Sequence, residues 1–419
     1  MRLLWQLLNY FVFLYPLYMS LIWTAGGLLF YFRRERKKYP PLESYPFFSI
    51  VIPAHNEEKN IEDTVNNLEN LNYPHYEVIA VDDGSIDKTP HILDELVKKY
   101  PGWLKVIHLS PNSGKAKALN AGILFSKGEL ILAMDADCFI DKDVLKWMAW
   151  HFVNYPRVGA VTGNPRILNR TTLLGKIQVG EYSSIIGLIK RTQRVLGKIL
   201  TVSGVIATFR KSALYDCGFF DADTVTEDID VTWKLEKRFW DIRYEPRALS
   251  WILAPESVRG IWKQRVRWAQ GGVEVVKKHF NVWSDWRQRR LWPIYIEYVT
   301  TILWAFSLAF LAASWLAAYF LYYSGVIGVA PTQPFIPPAW TGSILALVCL
   351  FQFMVSLYID HHYENKSLLK CYLWVIWYPL FYWVINALAV LIGVYNVFIR
   401  RGGISVRWKS PDRGLHTLK

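Results

Sequence analysis

Cysteine is scarce in this chain of 419 residues, and the spacing of the few cysteines excludes two kinds of scaffold. The four residues are Cys138, Cys217, Cys349 and Cys371. No two of them form a CxxC pair or match the spacing of a zinc site, so the pattern indicates reduced thiols. A domain held together by disulfides or by structural zinc is therefore not expected.

Acidic side chains are also in short supply, with 35 of them against 48 basic ones and a formal net charge of +13. The Lys and Arg residues do not lie in one stripe, so no nucleic-acid partner is predicted. Many of them flank apolar segments, as they do in membrane proteins. The 20 Trp and 24 Tyr agree with a lipid bilayer as the partner, because amphipathic rings settle at the level of the headgroups.

Charge is almost absent from residues 7–32, a run long enough to cross ~30 Å of hydrocarbon. Cations follow this run at Arg33, Arg34, Arg36, Lys37 and Lys38. A cleaved signal peptide would instead carry its cations in front of a shorter apolar core. The positive-inside rule therefore predicts a membrane anchor that leaves the following chain in the cytoplasm.

Three further apolar segments, at 295–323, 340–359 and 372–398, are predicted to span the membrane. Four spans would leave the C-terminal tail outside, yet residues 400–419 contain six cations. Three explanations stay open. The last segment re-enters near Pro379 and Asn386, another apolar run lies flat on the membrane, or the tail is an exception to the rule.

Between these segments, residues 48–155 alternate short apolar runs with amphipathic ones. Strands are predicted at 48–53, 77–81, 104–109 and 129–134, and helices at 60–71, 90–100 and 115–125. This order predicts a parallel sheet with helices on both faces. Ligands of such sheets bind beyond the carboxyl ends of the strands, which is where the acidic residues fall.

Two acids, Asp82 and Asp83, end the second predicted strand and precede Gly84 and Ser85. They can accept hydrogen bonds from a base or a ribose, while the glycine lets a ligand approach the backbone. Asp-Gly-Ser is also a common turn, and that alternative stays open. The GxGxxG fingerprint is missing from the sequence, so a dinucleotide site is not indicated.

Asp135 and Asp137 follow the fourth predicted strand. A spacing of two residues places both carboxylates on one face of an extended chain. Hard oxygen ligands with this spacing suit Mg²⁺ or Mn²⁺, which completes its shell with water and substrate phosphates. A solvated acidic loop is the alternative, but the position directly after an apolar strand favours a metal–diphosphate site.

A third acidic motif, Thr226-Glu227-Asp228, precedes a predicted helix at 229–239. Taken alone, it indicates only a helix N-terminus whose acids are stabilised by the helix dipole.

A fourth motif lies in a segment rich in Trp and cations. On a helix, Gln264, Arg267 and Trp268 share one face. An Arg fork can bind a diphosphate, and a Trp ring offers a platform for a sugar. The same pattern is typical of an amphipathic helix on a membrane surface, and the two interpretations are compatible.

In their order along the chain, these four motifs resemble those of the processive family-2 glycosyltransferases, which have a GT-A fold and include the cellulose, chitin and hyaluronan synthases. Nearly the whole chain resembles the bacterial poly-β-1,6-N-acetyl-D-glucosamine synthases of biofilm matrix. The stretches that carry this closer resemblance are 161–167, 175–193, 201–207, 244–248, 262–272 and 410–414. The front end departs from the pattern, since it has room for one membrane span where members often have two.

The resemblance implies a donor site for UDP-N-acetylglucosamine. In it, Asp82 or Asp83 would hold the uridine with the help of Lys115. Asp135 would contact the nucleotide, and Asp135 and Asp137 would hold Mg²⁺ or Mn²⁺ against the diphosphate.

The resemblance also implies an inverting transfer to the non-reducing end of a growing polysaccharide. Asp228 would be the general base that takes a proton from the acceptor hydroxyl, with Glu227 beside the acceptor. Gln264 and Arg267 would cap the donor site, with Arg267 near the diphosphate, and Trp268 would stack under the terminal sugar.

The implied fold is an α/β GT-A (Rossmann-like) domain inserted between transmembrane helices. Its expected parts are an anchor at 1–36, a cytoplasmic catalytic domain at 37–290, transmembrane helices at 291–400 and a basic tail at 401–419. Interfacial helices are expected at about 172–192 and 256–272, with Lys176 and Lys190 off the apolar face of the first. The family also implies the bacterial inner membrane and a small transmembrane partner subunit with cyclic di-GMP control.

Three other functions share features with this one. A single-addition lipid glycosyltransferase shares the motifs, and a synthase of hyaluronan, chitin or cellulose would differ only in its pocket contacts. A membrane scaffold without activity is disfavoured, because Asp137, Asp228 and Trp268 are all present.

Overall fold

The computed structural model describes residues 2–37, 39, 41–331, 340–364 and 366–399. The predicted basic tail at 401–419 lies outside this part of the chain. The prediction of a basic tail therefore stays a prediction.

Within the described residues, eight strands form one sheet. They are β1 Phe48–Ala54, β2 Tyr76–Asp83, β3 Leu104–Leu109, β4 Leu130–Met134, β5 Cys138–Ile140, β6 Val158–Ile167, β7 Ile206–Arg210 and β8 Asp241–Ile252.

The first helices are α1 Arg2–Phe30, α2 Ile61–Leu68, α3 Thr89–Lys99, α4 Lys115–Phe125, α5 Val144–Asn154, α6 Leu173–Glu181 and α7 Ile189–Leu196. They are followed by α8 Lys211–Cys217, α9 Glu227–Lys237, α10 Val258–Lys278, α11 Trp292–Tyr323, α12 Trp340–Asp360, α13 Tyr372–Val375 and α14 Tyr378–Phe398. Turns of π-helix at Tyr31–Glu35 and Tyr182–Leu188 extend α1 and join α6 to α7. Short 3-10 helices lie at Phe280–Trp283, Trp286–Gln288 and Lys366–Cys371.

The sheet has a parallel half and a mixed half, in the order β3-β2-β1-β4-β7-β6-β8-β5. Strands β3, β2, β1 and β4 run parallel, which confirms the parallel sheet predicted from the sequence. Every residue of β1 is buried, as expected for a strand that helices cover on both faces. Strand β7 runs antiparallel to β4, and no sequence pattern predicted the mixed half that begins there.

The carboxyl ends of the parallel strands bring two of the acidic motifs to one edge. Ala54, the last residue of β1, pairs with Asp82 on β2. On the other side of β1 lies β4, which ends at Met134, directly before Asp135. Because β2, β1 and β4 run parallel, both motifs lie on the same rim of the sheet, on either side of β1. Parallel α/β sheets bind their ligands at this rim.

Four helices in the described part of the chain are long and apolar enough to cross a membrane: Leu3–Glu35, Trp292–Tyr323, Thr341–Asp360 and Phe381–Phe398. Helix α1 is antiparallel to α11, since the indole of Trp304 donates to the carbonyl of Val12 at 3.0 Å and Trp5 packs on Phe310. Helix α12 runs parallel to α1, since Ser20 bonds Gln352 at 2.6 Å and, further along both segments, the hydroxyl of Tyr31 lies 2.9 Å from Nε2 of His362.

Buried ion pairs join the membrane helices to the sheet domain. Arg191 of α7 bonds Glu35, at the end of α1, at 2.6 Å and Asp360, at the end of α12, at 2.8 Å. Arg166 of β6 bonds the same Asp360 at 2.6 Å. All four side chains are almost fully inaccessible, so removing one partner would leave an uncompensated buried charge. The ends of α1 and α12 that carry Glu35 and Asp360 are therefore held firmly on the domain.

The last predicted span, 372–398, is interrupted. Helix α13 stops at Val375, and α14 begins at Tyr378 with Pro379 in its first turn, where a proline is tolerated. Pro379 has no N–H to donate to the carbonyl of Val375, four residues earlier, which gives a physical reason for the break at that residue.

Helix α14 then runs alongside α10 instead of away from it. Near its start, Tyr378 donates to Glu181 of α6 at 3.3 Å. Further along, Asn396 donates to Gln270 of α10 at 3.1 Å. At its end, the ammonium of Lys277 lies 4.9 Å from the ring centre of Phe398. Both ends of α14 therefore contact elements that pack on the sheet domain.

Candidate active site

Asp83 is saturated with hydrogen bonds from its own chain. Its carboxylate accepts the N–H and the hydroxyl of Ser113, both at 2.8 Å, and the N–H of Gly114 at 2.7 Å. The residue is fully buried. It therefore fixes the loop that leads into α4 and places Lys115, the first residue of that helix.

Asp82 is also bound within the protein. One oxygen accepts the N–H of Ser85 at 3.0 Å, and the other lies 3.0 Å from Nδ1 of His108. Burial alone would lower the pKa of His108, but the carboxylates of Asp82 and Asp94 raise it above the ordinary value. The uridine contact predicted for Asp82 or Asp83 stays a prediction.

Lys115 is the centre of the site. Its ammonium lies 2.6 Å from Asp135 and 3.0 Å from Glu227, and it donates to the carbonyl of Gly204 at 3.3 Å. Burial opposes the charged form, but the two carboxylates prevail and raise the pKa of Lys115 well above its usual range. One side chain therefore connects the rim of the sheet, through Asp135, to the start of α9, through Glu227.

The donor set of Asp135 and Asp137 fits a divalent cation. Asp135 is half-buried and already has a cation, the Lys115 ammonium, on one oxygen. Asp137 is buried two residues further on. Two carboxylates that follow a strand directly match the hard-oxygen chemistry of Mg²⁺ or Mn²⁺.

Asp228 lies in the first turn of α9, next to Glu227. Its carboxylate accepts the N–H of Ile229 at 2.9 Å and the N–H of Gly204 at 3.2 Å, and its side chain is half-buried. Loss of hydrating water raises its pKa to about 6, and the charge of Glu227 acts in the same direction, whereas Lys115 opposes the shift. A carboxylate with this raised basicity and an open side suits the role of a general base.

Two glycines let α10, which carries the fourth motif, pack closely on its neighbours. A Cβ on Gly271 of α10 would lie 2.1 Å from the hydroxyl oxygen of Thr226, next to the acidic motif. A Cβ on Gly272 would lie 1.8 Å from the hydroxyl oxygen of Tyr298 on α11. Any side chain at either position would therefore push α10 away from α9 or α11.

Gln264, Arg267 and Trp268, the three predicted site residues of α10, differ in their exposure. Trp268 is half-buried, and the guanidinium of Arg265 lies 4.4 Å from the centre of its ring. Arg267 is exposed, and its charge lowers the pKa of Asp228. In the described part of the chain, the buried Oε1 of Gln264 has no hydrogen-bond partner. The structure thus places Arg267 within electrostatic reach of Asp228.

Sequence reasoning missed the residues that support these side chains. Arg265 pairs with Glu181 of α6 at 2.6 Å, and this buried pair orients the arginine under Trp268. The loop at Ser203 and Gly204 supplies the backbone groups that bond Asp228 and Lys115. The stretch 175–193 was singled out by resemblance, and an apolar helix face was predicted over the same region. Neither observation indicated that Glu181 faces an arginine some eighty residues later.

A second acidic cluster is already neutralised by the protein. Asp221, Asp223 and Asp230 are close enough to suggest a metal site. The ammonium of Lys278 lies 2.7, 2.7 and 3.0 Å from them, and His279 bonds Asp230 at 2.7 Å. The cluster therefore holds the end of α10 against α9, where a lysine takes the place of an ion.

Comparison with known proteins agrees with this geometry. Residues 49–218 match the family described as glycosyl transferase family 2. A poly-β-1,6-N-acetyl-D-glucosamine synthase from Staphylococcus epidermidis is 40% identical over 96% of this chain and 98% of its own length. The protein of the same name from Staphylococcus aureus is 40% identical over 98% of this chain and 99% of its own length.

A solved structure supports the fold. A mannosyltransferase from Pyrobaculum calidifontis, determined in complex with GDP-mannose and Mn²⁺, superposes with a TM-score of 0.63 at 19% identity, covering 94% of this chain and all of the other. At that identity the likeness concerns the fold alone.

The chain belongs to glycosyltransferase family 2 and has a GT-A domain associated with apolar helices. Within that family it groups with the poly-β-1,6-N-acetyl-D-glucosamine synthases, which it matches over 96–98% of its length. The fold class, the enzyme class and the family resemblance drawn from the sequence are thereby confirmed.

Proposed function

We propose that this chain is a processive, inverting β-glycosyltransferase. It polymerises N-acetylglucosamine from UDP-N-acetylglucosamine into poly-β-1,6-N-acetyl-D-glucosamine and passes the chain across the bacterial inner membrane for biofilm matrix. The supporting observation is Asp228, whose half-buried carboxylate has a raised pKa and lies beside the Lys115–Asp135 pair at the rim of the sheet.

In the proposed reaction, Asp228 takes the proton of the 6-hydroxyl of the terminal acceptor sugar. That oxygen attacks the anomeric carbon of the donor from the face opposite UDP, and the bond to the diphosphate breaks. The N–H groups of Gly204 and Ile229 hold the carboxylate in place during the proton transfer. Trp268, supported by Arg265, offers the ring face on which the acceptor sugar would stack.

On the donor side, Asp135 and Asp137 would hold Mg²⁺ or Mn²⁺, whose charge offsets that of the departing diphosphate. Arg267 is exposed at the same site and can add its guanidinium to the diphosphate. The Lys115 ammonium offsets one of the two negative charges of Asp135 and Glu227 and so reduces the repulsion of the anionic donor.

The test is to supply labelled UDP-N-acetylglucosamine and Mg²⁺ to membranes that contain this chain, and to size the product. Asp228→Asn is the matched control, since it keeps the shape and removes the base. Long polymer that disappears in the control is the expected result, with a loss of turnover of about 10²–10⁴-fold.

Two results would contradict the proposal. A single sugar on a lipid, formed in a reaction that depends on Asp228, would replace it with a lipid glycosyltransferase. Polymer formed from UDP-glucose in preference to UDP-N-acetylglucosamine would change the product to another β-glycan.

The membrane arrangement that we propose has three crossings. Helices α1 and α12 end at the domain and α11 begins there, whereas α14 contacts elements packed on the domain at both of its ends. With α14 lying along α10 on the catalytic side, the basic tail would stay in the cytoplasm, as the positive-inside rule requires.

Cysteine labelling in intact cells tests this arrangement. In a background in which the native cysteines are replaced, Gly328→Cys is expected to react with an impermeant maleimide from outside. Ser410→Cys is expected to react only after permeabilisation. Labelling of Ser410→Cys in intact cells would show that α14 crosses the membrane.

We also propose, on family grounds, a small transmembrane partner subunit with cyclic di-GMP control. Helix α11 has large exposed apolar side chains at Phe306, Phe310, Leu316 and Phe320, a face that lipid or a partner helix would cover. Activity that is unchanged by the co-expressed partner and by cyclic di-GMP would contradict this.

A further inference from the structure

A buried lysine on α7 lies behind the proposed base and has no part in the scheme above. Lys190 is 5% exposed. Its ammonium donates to the hydroxyl of Ser203 at 2.6 Å and to the hydroxyl of Thr162 on β6 at 3.2 Å. Lysine is rarely buried without a counter-charge, because the desolvated ammonium is costly.

Ser203 and Thr162, which carry these hydroxyls, support the loop whose next residue bonds Asp228. The N–H of Ser203 donates to the hydroxyl of Thr162 at 2.8 Å. Lys190, Ser203 and Thr162 are therefore each hydrogen-bonded to the other two. The next residue, Gly204, donates its N–H to Asp228 and accepts from Lys115 through its carbonyl. The ammonium of Lys190 therefore fixes the loop that positions the base.

The charge of Lys190 also has a counterpart at this site. Burial lowers its pKa to about 7, and the carboxylate of Asp228 opposes that decrease. By reciprocity, the ammonium favours the ionised form of Asp228. The other charges that act on Asp228 are Glu227, which raises its pKa, and Lys115 and Arg267, which lower it.

We propose that Lys190 is a positioning residue for the transfer reaction: it holds the 203–204 loop against Asp228 and supplies, from inside the domain, the positive charge that keeps this base ionised. The inference rests on the proposed role of Asp228 as the base. A long cation is needed there, because it must reach both hydroxyls from α7.

The test compares Lys190→Met, Lys190→Gln and Lys190→Arg in the full chain, in membranes, by the dependence of UDP release on pH between 5 and 8. Lys190→Met and Lys190→Gln are expected to lower kcat about 100-fold, as a roughly 1 Å misplacement does, with a smaller change in KM for the UDP-sugar. The acidic limb of kcat/KM is expected to move up by ~1 pH unit, since the base loses a favourable charge. Lys190→Arg is expected to restore the position of the limb.

Lys198→Met is the matched control, because Lys198 lies just beyond the same helix and its ammonium bonds only the carbonyl of Glu236 among the contacts described. Its limb and its kcat are expected to match those of the unmodified chain. Asp228→Asn is measured in parallel: full UDP release from that variant would defeat the proposed function itself.

With Asp228 shown to be essential, two results would overturn only the role of Lys190. One is unchanged kcat in Lys190→Met and Lys190→Gln. The other is a loss of activity with the acidic limb in its original place, because a purely structural lysine changes the amount of active enzyme without changing the pKa of the base. If one neutral variant does not fold, the other and Lys190→Arg still give this comparison.

Discussion

Asp83 and Asp228 are acidic residues of one domain whose surroundings differ in kind. Asp83 is fully buried and accepts three hydrogen bonds, all from Ser113 and Gly114. Asp228 is half-buried, accepts two backbone N–H groups, and has the carboxylate of Glu227 beside it. A carboxylate saturated by its own chain serves structure, whereas one short of hydration and open on one side can exchange a proton.

The comparison also separates local from assembled sites. The groups that bond Asp83 come from Ser113 and Gly114, in one loop. This loop follows β3, the neighbour of β2 in the sheet. The surroundings of Asp228 come from α9, from the loop before β7 and, through Gly271 and Thr226, from α10. The second site therefore depends on the packing of distant segments, and small displacements should affect it more than they affect the first.

The largest expected effect is on stability. Asp83→Ala leaves two N–H groups and one hydroxyl without their acceptor, so we expect the free energy of unfolding to fall by about 4 kcal/mol. Unfolding in detergent, followed by tryptophan fluorescence, measures this.

Asp228→Asn is the contrast for that measurement. The folded-state pKa of Asp228, about 6, lies above the ordinary value of 3.8, so its ionised form disfavours folding at pH 7. Removing the charge should leave stability unchanged or higher. Equal destabilisation of the two variants would break the comparison.

The next effect concerns the assembled site. Gly271→Ala places a methyl group 2.1 Å from the hydroxyl oxygen of Thr226, so α10 must move away from the acidic motif. We expect kcat/KM to fall about 100-fold with the donor, in line with a displacement of roughly 1 Å. Gly328→Ala is the control, because no atom lies within 4 Å of its added Cβ. Full activity of Gly271→Ala would show that this close contact is not needed.

A smaller effect is expected from pH. The base must be ionised to accept a proton, and burial raises the pKa of Asp228 to about 6. Values of kcat/KM should therefore fall about tenfold per pH unit below that point and level off above it. A limb near pH 4 would mean that substrate or solvent restores the ordinary acidity of Asp228, or that another group is the base.

The smallest effect is expected at His108, the partner of Asp82. Its side chain is 41% exposed, so His108→Ala should change the free energy of unfolding by less than about 1 kcal/mol. We expect the KM for UDP-N-acetylglucosamine to stay the same. A tenfold rise in that KM would indicate that His108 orients Asp82 toward the uridine and would assign the donor contact to Asp82.

Much of the parallel half of the fold could be predicted, because periodicity within a strand or a helix is local. The helix predicted at 115–125 is observed with those bounds, and the predicted strand at 104–109 likewise. The antiparallel β7 and the pair of Arg265 with Glu181 could not be predicted, since each depends on segments distant in sequence. Pro379 was a local signal for the break before α14, but a proline does not indicate the direction in which the following helix runs.

The sequence by itself determined the types of residue available for chemistry, their order, and their places after strands or at helix starts, because strand and helix signals act over a few residues. Only the tertiary structure decided that Lys115 joins Asp135 to Glu227, and that Lys190 lies behind Asp228. It also decided that α14 returns along α10. Electrostatic and packing energies depend on distance in space, and that distance exists only once the chain has folded.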